Sequence, residues 1–249
     1  MKDILVKIKI FIVLGLFSVV SVAAFAQTGY PTKSVSIQAG LGLSTITHPD
    51  ADPSYDPDYR SGFNIRASVF LPISDRLGSQ LGIGWVQRGY SVEIQRLENE
   101  NYGYPEDFPD RISIRDRVNY LSIPALLQFN PMSGTGIRLQ AGPVLSFALN
   151  CRAAIEIRDG TSSETDSFDC ADDDLETVDI SIMTGVGVNI PVSSAFSVSL
   201  DAVYDVGMID TSPNVESKNR GFVITAGVSL PLDLIAGRFC LISATLARS

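Results

Sequence analysis

From Ser34 onward, apolar and polar residues alternate with a period of two, the spacing of a strand whose two faces meet different surroundings. Val35, Ile37, Ala39, Leu41 and Leu43 alternate with Ser36, Gln38, Gly40, Gly42 and Ser44. Phe63, Ile65, Ala67, Val69 and Leu71 do the same against Asn64, Arg66 and Ser68. A third run spans residues 77–94, and its phase changes near Trp85 to Arg88, where we expect a β-bulge. The fourth carries Leu121, Ile123, Ala125, Leu127 and Phe129; the fifth carries Ile137, Leu139, Ala141, Val144 or Leu145, and Phe147. In the sixth, Val178, Ile180, Ile182, Val186, Val188 and Ile190 face Asp179, Ser181, Gly185, Gly187 and Asn189. The seventh sets Phe196, Val198, Leu200, Ala202, Tyr204 and Val206 against Ser197, Ser199, Asp201 and Asp205. The eighth sets Phe222, Ile224, Ala226, Val228 and Leu230 against Thr225, Gly227 and Ser229. Each run is about ten residues or longer, enough for a tilted strand to cross a bilayer. Strands of soluble proteins average about five to six residues.

The connections divide by parity. After the second, fourth and sixth runs come tight turns rich in Pro, Ser and Gly, at residues 72–76, 131–134 and 191–195. After the odd runs come long stretches, at residues 48–60, 95–117, 151–177 and 209–219. Outer-membrane barrels show this asymmetry, with short periplasmic turns and long outer loops. The expected fold is therefore all-β: an eight-stranded antiparallel up-and-down transmembrane β-barrel over residues 34–232. Charge sorts the same way. The four long connections sum to -3, -2, -7 and -1, and everything else after residue 26 sums to +2.

The first residues bear on compartment. Lys2, Lys7 and Lys9 precede an apolar run at residues 10–22 that is too short to span a bilayer. Ala24, Phe25 and Ala26 then form a small-x-small site, so residues 1–26 read as a signal peptide cut between Ala26 and Gln27. Residues 27–33 form a lead-in, and residues 233–249 form a tail of unassigned role. The formal charge of -9 becomes -11 once that leader is gone, which argues against nucleic acid as a partner. Of the three cysteines, Cys151 and Cys170 flank one acidic connection and are expected to pair in an oxidising compartment, leaving Cys240 over. Such a bridge would constrain the connection by about 3 kcal/mol.

Three pieces carry a family resemblance. Residues 120–129 (YLSIPALLQF), Gln140 to Val144 (QAGPV) and Thr184 to Val188 (TGVGV) are similar, in order and spacing, to strands of the outer-membrane β-barrel family that includes the PorT-like proteins of Bacteroidetes-type bacteria. The resemblance spans about residues 34–232 and implies an eight-stranded outer-membrane barrel, but no particular activity. This chain departs from the pattern at its end: such barrels often finish on an aromatic residue, whereas residues 233–249 run past Leu232.

Candidate chemistry is sparse. His48 is the sole histidine; beside Asp50 and Asp52 it weakly imitates a rim hydrolase, and it cannot build a histidine zinc site with the scattered cysteines. Gly82, Gly84, Gly185 and Gly187 lack the third glycine and helix of a nucleotide loop. Two acidic sets, Asp169 with Asp172, Asp173, Asp174 and Glu176, and Asp50, Asp52, Asp56 and Asp58, offer oxygen ligands for divalent cations but lack EF-hand spacing. No cofactor, catalytic or metal site is expected. The constellation that suits the fold is Arg66, Arg138, Asp201 and Asp205, all on the polar phase and so expected to point into the lumen as a polar plug. The sequence therefore reads as a non-enzymatic barrel with acidic outer loops. Its expected partners are outer-membrane lipid, divalent cations at those loops, and an unknown protein or ligand. The alternatives are a narrow porin-like channel, a rim hydrolase using His48, or a soluble lipocalin-like carrier. The detergent-extracted protein is expected to change mobility on a gel when boiled; full aqueous solubility with no such shift would reject the membrane reading.

Overall fold

The computed structural model describes residues 33–47, 57–95, 109–132, 136–159, 162–170, 176–211 and 216–233. Within them the alternating runs become nine strands: β1 (Ser34–Thr47), β2 (Asp58–Pro72), β3 (Leu77–Gln95), β4 (Arg111–Phe129), β5 (Ile137–Asp159), β6 (Ser162–Asp169), β7 (Val178–Pro191), β8 (Ser197–Gly207) and β9 (Lys218–Pro231). Eight of them form one antiparallel ring. Neighbours pair from β1 through β5, then β7, β8 and β9, and β9 pairs back onto β1 from Ser34↔Pro231 to Thr47↔Lys218. β6 stands outside the ring and pairs only with the far end of β5, from Arg152↔Asp169 to Asp159↔Ser162. A closed ring leaves no backbone donor or acceptor unpaired in lipid, which is what permits strands to span a membrane.

The two phases of the alternation take opposite sides of the wall. Ile37, Leu41, Leu81 and Leu127 are 54–68% exposed on the outside, while Gln38, Asp201 and Arg66 are at most 5% exposed within. This arrangement removes the lipocalin-like alternative, which requires the apolar phase inside. Val188 lies on the outer phase but is covered, with Ile137 and Leu200 beside it in register. On β5 the open choice resolves, with Leu145 outward and Val144 at 1% exposure in the lumen. Val144 belongs to a layer of lumen side chains with Leu126, Met183, Val203 and Val223.

The phase change on β3 has a different origin from the one expected. β3 pairs with β4 in a single register on both sides of Trp85, from Leu77↔Phe129 to Gln95↔Arg111, so no residue of β3 is extra against that neighbour. The ladder between β2 and β3 does slip, between Tyr59↔Tyr90 and Asn64↔Val86, and the additional residue belongs to β2. What reverses at Trp85 is the surroundings. Below it, outer positions are Leu81 and Ile83; above it, they are Gln87, Ser91 and Glu93, while Val86 and Val92 are buried on the inner side. The wall has left hydrocarbon and entered water, where the preferred polarity of each face inverts.

Two of the stretches expected to be connections are thus strand over much of their length. β4 begins at Arg111 rather than near Leu121, and β5 continues to Asp159 and folds back as β6, so residues 111–117 and most of 151–177 are sheet. At 19 and 23 residues, β4 and β5 are about twice what a bilayer requires. On the lipid-facing wall, Ile123→Arg is expected to destabilise the folded barrel by about 2–4 kcal/mol in urea titrations in vesicles, with Ser113→Arg on the protruding part nearly silent.

Candidate functional site

Inside the ring the polar phases converge on two charged groups. In the lower one, Arg138 of β5 donates to both carboxylate oxygens of Asp201 on β8, at 2.8 and 2.7 Å from Nη2. Gln140 Nε2 adds a bond to Oδ1 at 3.3 Å, and Gln38 of β1 donates to Oδ2. Gln38 then accepts from Arg66 of β2 at 2.6 Å, so Arg66 reaches Asp201 through an amide rather than directly. The wall makes room for this pair. A Cβ at Gly187, which faces Asp201 in register, would sit 1.9 Å from Asp201 Oδ1 and 2.9 Å from Arg138 Nε. Only a residue with no side chain fits there.

The upper group contains two charged residues absent from the sequence-based constellation, Arg88 and Asp179. Arg88 of β3 spreads its two terminal nitrogens to Asp179 of β7 and Asp205 of β8. Asn219 of β9 donates to the same Asp179 oxygen at 3.1 Å, and the Arg88 guanidinium lies 5.3 Å over the Tyr120 ring. Asp205 therefore does not join the other three expected residues. Val203 occupies the inner position between Asp201 and Asp205 on β8, which puts the apolar layer between the two charged groups. Together the groups hold three arginines and three aspartates, a neutral filling for a lumen with little room for water. The signal for Arg88 was legible: it continues the even-numbered inner phase of Gln80, Gly82, Gly84 and Val86, which the expected bulge had broken.

Beyond the outer rim, β3, β4, β5 and β6 continue as a four-stranded sheet. Its outer face is tied by charge: Arg111 to Glu93 at 2.8 Å, and Arg115 and Arg158 to Glu156 at 2.7 and 2.9 Å. Its axial face carries Val92, Val118 and Ala153, all buried. Cys151 and Cys170 are joined by a disulfide, with Cα atoms 5.3 Å apart, and this bond fastens the end of β6 to β5 where the sheet leaves the barrel. Every residue of β6 is exposed.

His48, Asp50, Asp52, Asp56, Asp172, Asp173, Asp174 and Cys240 lie outside the described residues, as do Ala26 and Gln27. Asp58, Asp169 and Glu176 are exposed, and among the described residues no group of three or more potential metal ligands occurs.

A family model described as "Outer membrane protein beta-barrel domain" matches residues 25–212. Among solved structures, Neisserial surface protein A is similar over 79% of this chain and 96% of its own, at 16% identity and a TM-score of 0.39. Ail, the attachment invasion locus protein of Yersinia pestis, is similar over 80% and 100%, at 16% identity and a TM-score of 0.38. The outer membrane protein OprG from Pseudomonas aeruginosa is similar over 81% and 97%, at 13% identity and a TM-score of 0.40. No curated protein matches the chain.

Removing one partner of a buried pair strands the other in a poor dielectric. Asp201→Ala is accordingly expected to cost about 3–5 kcal/mol in vesicle unfolding experiments. The double change Arg138→Met with Asp201→Leu should lose less than the single one, because Arg138 is not left unpaired, but it still takes from Arg66 the charge that it reaches through Gln38.

Proposed function

The chain belongs to the outer membrane protein β-barrel domain family, and on that premise we propose that it is a closed, non-enzymatic barrel of the bacterial outer membrane that holds a binding platform above the lipid. The observation that carries this reading is the run of β3, β4 and β5 far past the bilayer, with β6 added and fastened to β5 by a disulfide at the base of the extension. A strand that served only to cross the membrane has no use for the extra length. The platform is rigid by construction, since its strands are continuous with those of the barrel and β6 is covalently fastened. Rigidity of that kind lowers the ordering cost of binding a partner.

The filled lumen supports the non-channel side of the reading. Two charged groups and an apolar layer occupy the axis, so an ion would have to displace buried pairs to pass. The resemblance of residues 120–129, Gln140 to Val144 and Thr184 to Val188 to strands of the PorT-like proteins supports placing the chain beside them, with no activity implied. The apolar, polar and charged side chains of the platform offer adhesion or protein binding, and nothing in their chemistry favours hydrolysis.

In planar bilayers the purified barrel is expected to give no steady open events; events of one defined size would replace this reading with a channel. A photo-crosslinking residue at Thr165 on β6 should yield a protein adduct in intact cells, and one at Met132 on the short-turn side should not yield the same adduct. Absence of an adduct at Thr165 would count against a platform. Reductant should speed tryptic cutting at Arg152 and Arg158 while leaving the boiling-dependent gel shift intact, because the disulfide constrains the extension and not the ring.

A further inference from the structure

The upper charged group of the lumen holds more oxygen than the protein's own donors satisfy. Arg88 gives one terminal nitrogen to Oδ2 of Asp179 and the other to Oδ2 of Asp205, and Asn219 adds a second donor to Asp179 Oδ2. The other oxygen of each carboxylate, Oδ1, is buried with no hydrogen-bond partner among the described residues, and so are the hydroxyls of Ser146 and Ser181. Ser146, Asp179 and Ser181 are at most 2% exposed and Asp205 is 6% exposed. Register brings the four residues together on the inner side of the wall. Ser146 of β5 faces Asp179 across the ladder, and Ser181 is the next inner residue of β7. Asp205 of β8 lies on the diagonal from Ser181, since Met183 pairs with Asp205 and Ser181 with Gly207. Facing residues in such ladders have Cβ atoms about 5 Å apart, and diagonal ones about 7 Å.

A hydroxyl facing a carboxylate at that spacing ordinarily donates to it. Here neither serine does, and each of the four oxygens bears the cost of burial without a partner. Charge decides what would join them. Arg88 supplies one positive charge against two negative ones, a surplus of one negative charge. The opposite surplus of the lower group lies about 13 Å away along β8, from Asp201 to Asp205, with the apolar layer between. Arg66 extends toward the upper group only as far as Met183 Sδ, at 3.7 Å. A buried charge is costly unless it is paired nearby. A water molecule would satisfy the oxygens and leave the surplus, and a divalent cation would reverse it. A monovalent cation answers both. The lower group supplies the contrast: Gln140 Oε1 and Thr225 Oγ1 are also buried there without partners, but its surplus is positive and repels a cation.

We propose that Ser146, Asp179, Ser181 and Asp205 hold a monovalent alkali cation inside the barrel, taken up as the ring closes around it. Oxygen donors suit hard cations of this kind. Among the described residues no third carboxylate, histidine or cysteine joins the two aspartates, and the serine hydroxyls complete the set. A cavity of about 30 Å³ bordered by Asp205 and Arg88 has room for a water that adds a further oxygen. The ion's role is structural: it ties β5, β7 and β8 to one point, and Arg88 links that point to β3. The site depends on closure of the ring and is independent of what the platform binds, so a failed crosslink at Thr165 does not touch it.

The test folds the full chain into vesicles and titrates it with urea, exchanging sodium, potassium and choline chlorides at constant ionic strength so that screening is held fixed. Past half-saturation, each tenfold rise in sodium or potassium should raise the folded-to-unfolded ratio about tenfold, because only the folded state binds. The double variant Ser146→Ala, Ser181→Ala should lose this dependence. Ser229→Ala, which removes a buried hydroxyl at the short-turn end of the lumen, should keep it. Asp205→Asn removes the surplus charge and still presents an oxygen to Arg88. In choline chloride it should be more stable than the wild type and indifferent to sodium and potassium. An ordinary ion pair would instead make it less stable, and that result would overturn the proposal. Each single serine variant should weaken the dependence, which keeps the test open if the double variant does not fold, as judged by its boiling-dependent gel shift. Equal wild-type stability in all three salts would also overturn it, leaving water between the oxygens, as would an undiminished dependence in the double variant.

Discussion

The ladder that joins β1 to β9 holds fourteen residue pairs, and every other property of the molecule depends on it. Without it the sheet would have two open edges in hydrocarbon, each with unpaired amides and carbonyls that lipid cannot satisfy. With it, the chain has an inside and an outside, and the period-two alternation acquires a meaning. One phase faces acyl chains; the other is confined to a cylinder of eight strands that its own side chains nearly fill. That confinement turns scattered polar residues into a buried network. Arg138 and Asp201 are remote in sequence, and Gly187 is the gap in the wall that lets them meet.

The lumen is layered by charge. Asp201 serves Arg138 directly and Arg66 through Gln38, which leaves a surplus of positive charge in the lower group. Arg88 serves both Asp179 and Asp205, which leaves a negative surplus in the upper one. The apolar layer of Leu126, Val144, Met183, Val203 and Val223 keeps the two apart while the sum is neutral. An interior of this kind is a scaffold for the wall, and the disulfide-fastened extension of the sheet lies outside it.

Much of this was legible in the residues. The outward assignment of Ile37, Ile65 and Leu127 and the inward assignment of Arg66, Arg138 and Asp201 follow from alternation alone, and the structure places them so. The even-numbered connections are short because antiparallel neighbours need only a few turn residues, and Pro and Ser supply them. Less legible was the top of the barrel. Ile112 and Ile114 alternate with Ser113 and Arg115, and Ile155 and Ile157 alternate with Glu156 and Arg158, yet charges at high density read as loop. The missing knowledge was that the same strand can leave lipid for water, at which point an outward arginine becomes favourable and an outward leucine does not.

The sequence by itself determined the eight strands of the ring, the side that most of their residues take and the division into short and long connections, because these are local consequences of period, turn chemistry and charge. Tertiary structure alone decided which charges meet. Asp205 was expected in the lumen with Arg66, Arg138 and Asp201, with their meeting left to the register, and the stagger of neighbouring strands carries it to the level of Arg88. Stagger is a property of the closed ring as a whole, since it is set by how eight tilted strands come back into register with the first. No stretch of residues encodes it alone.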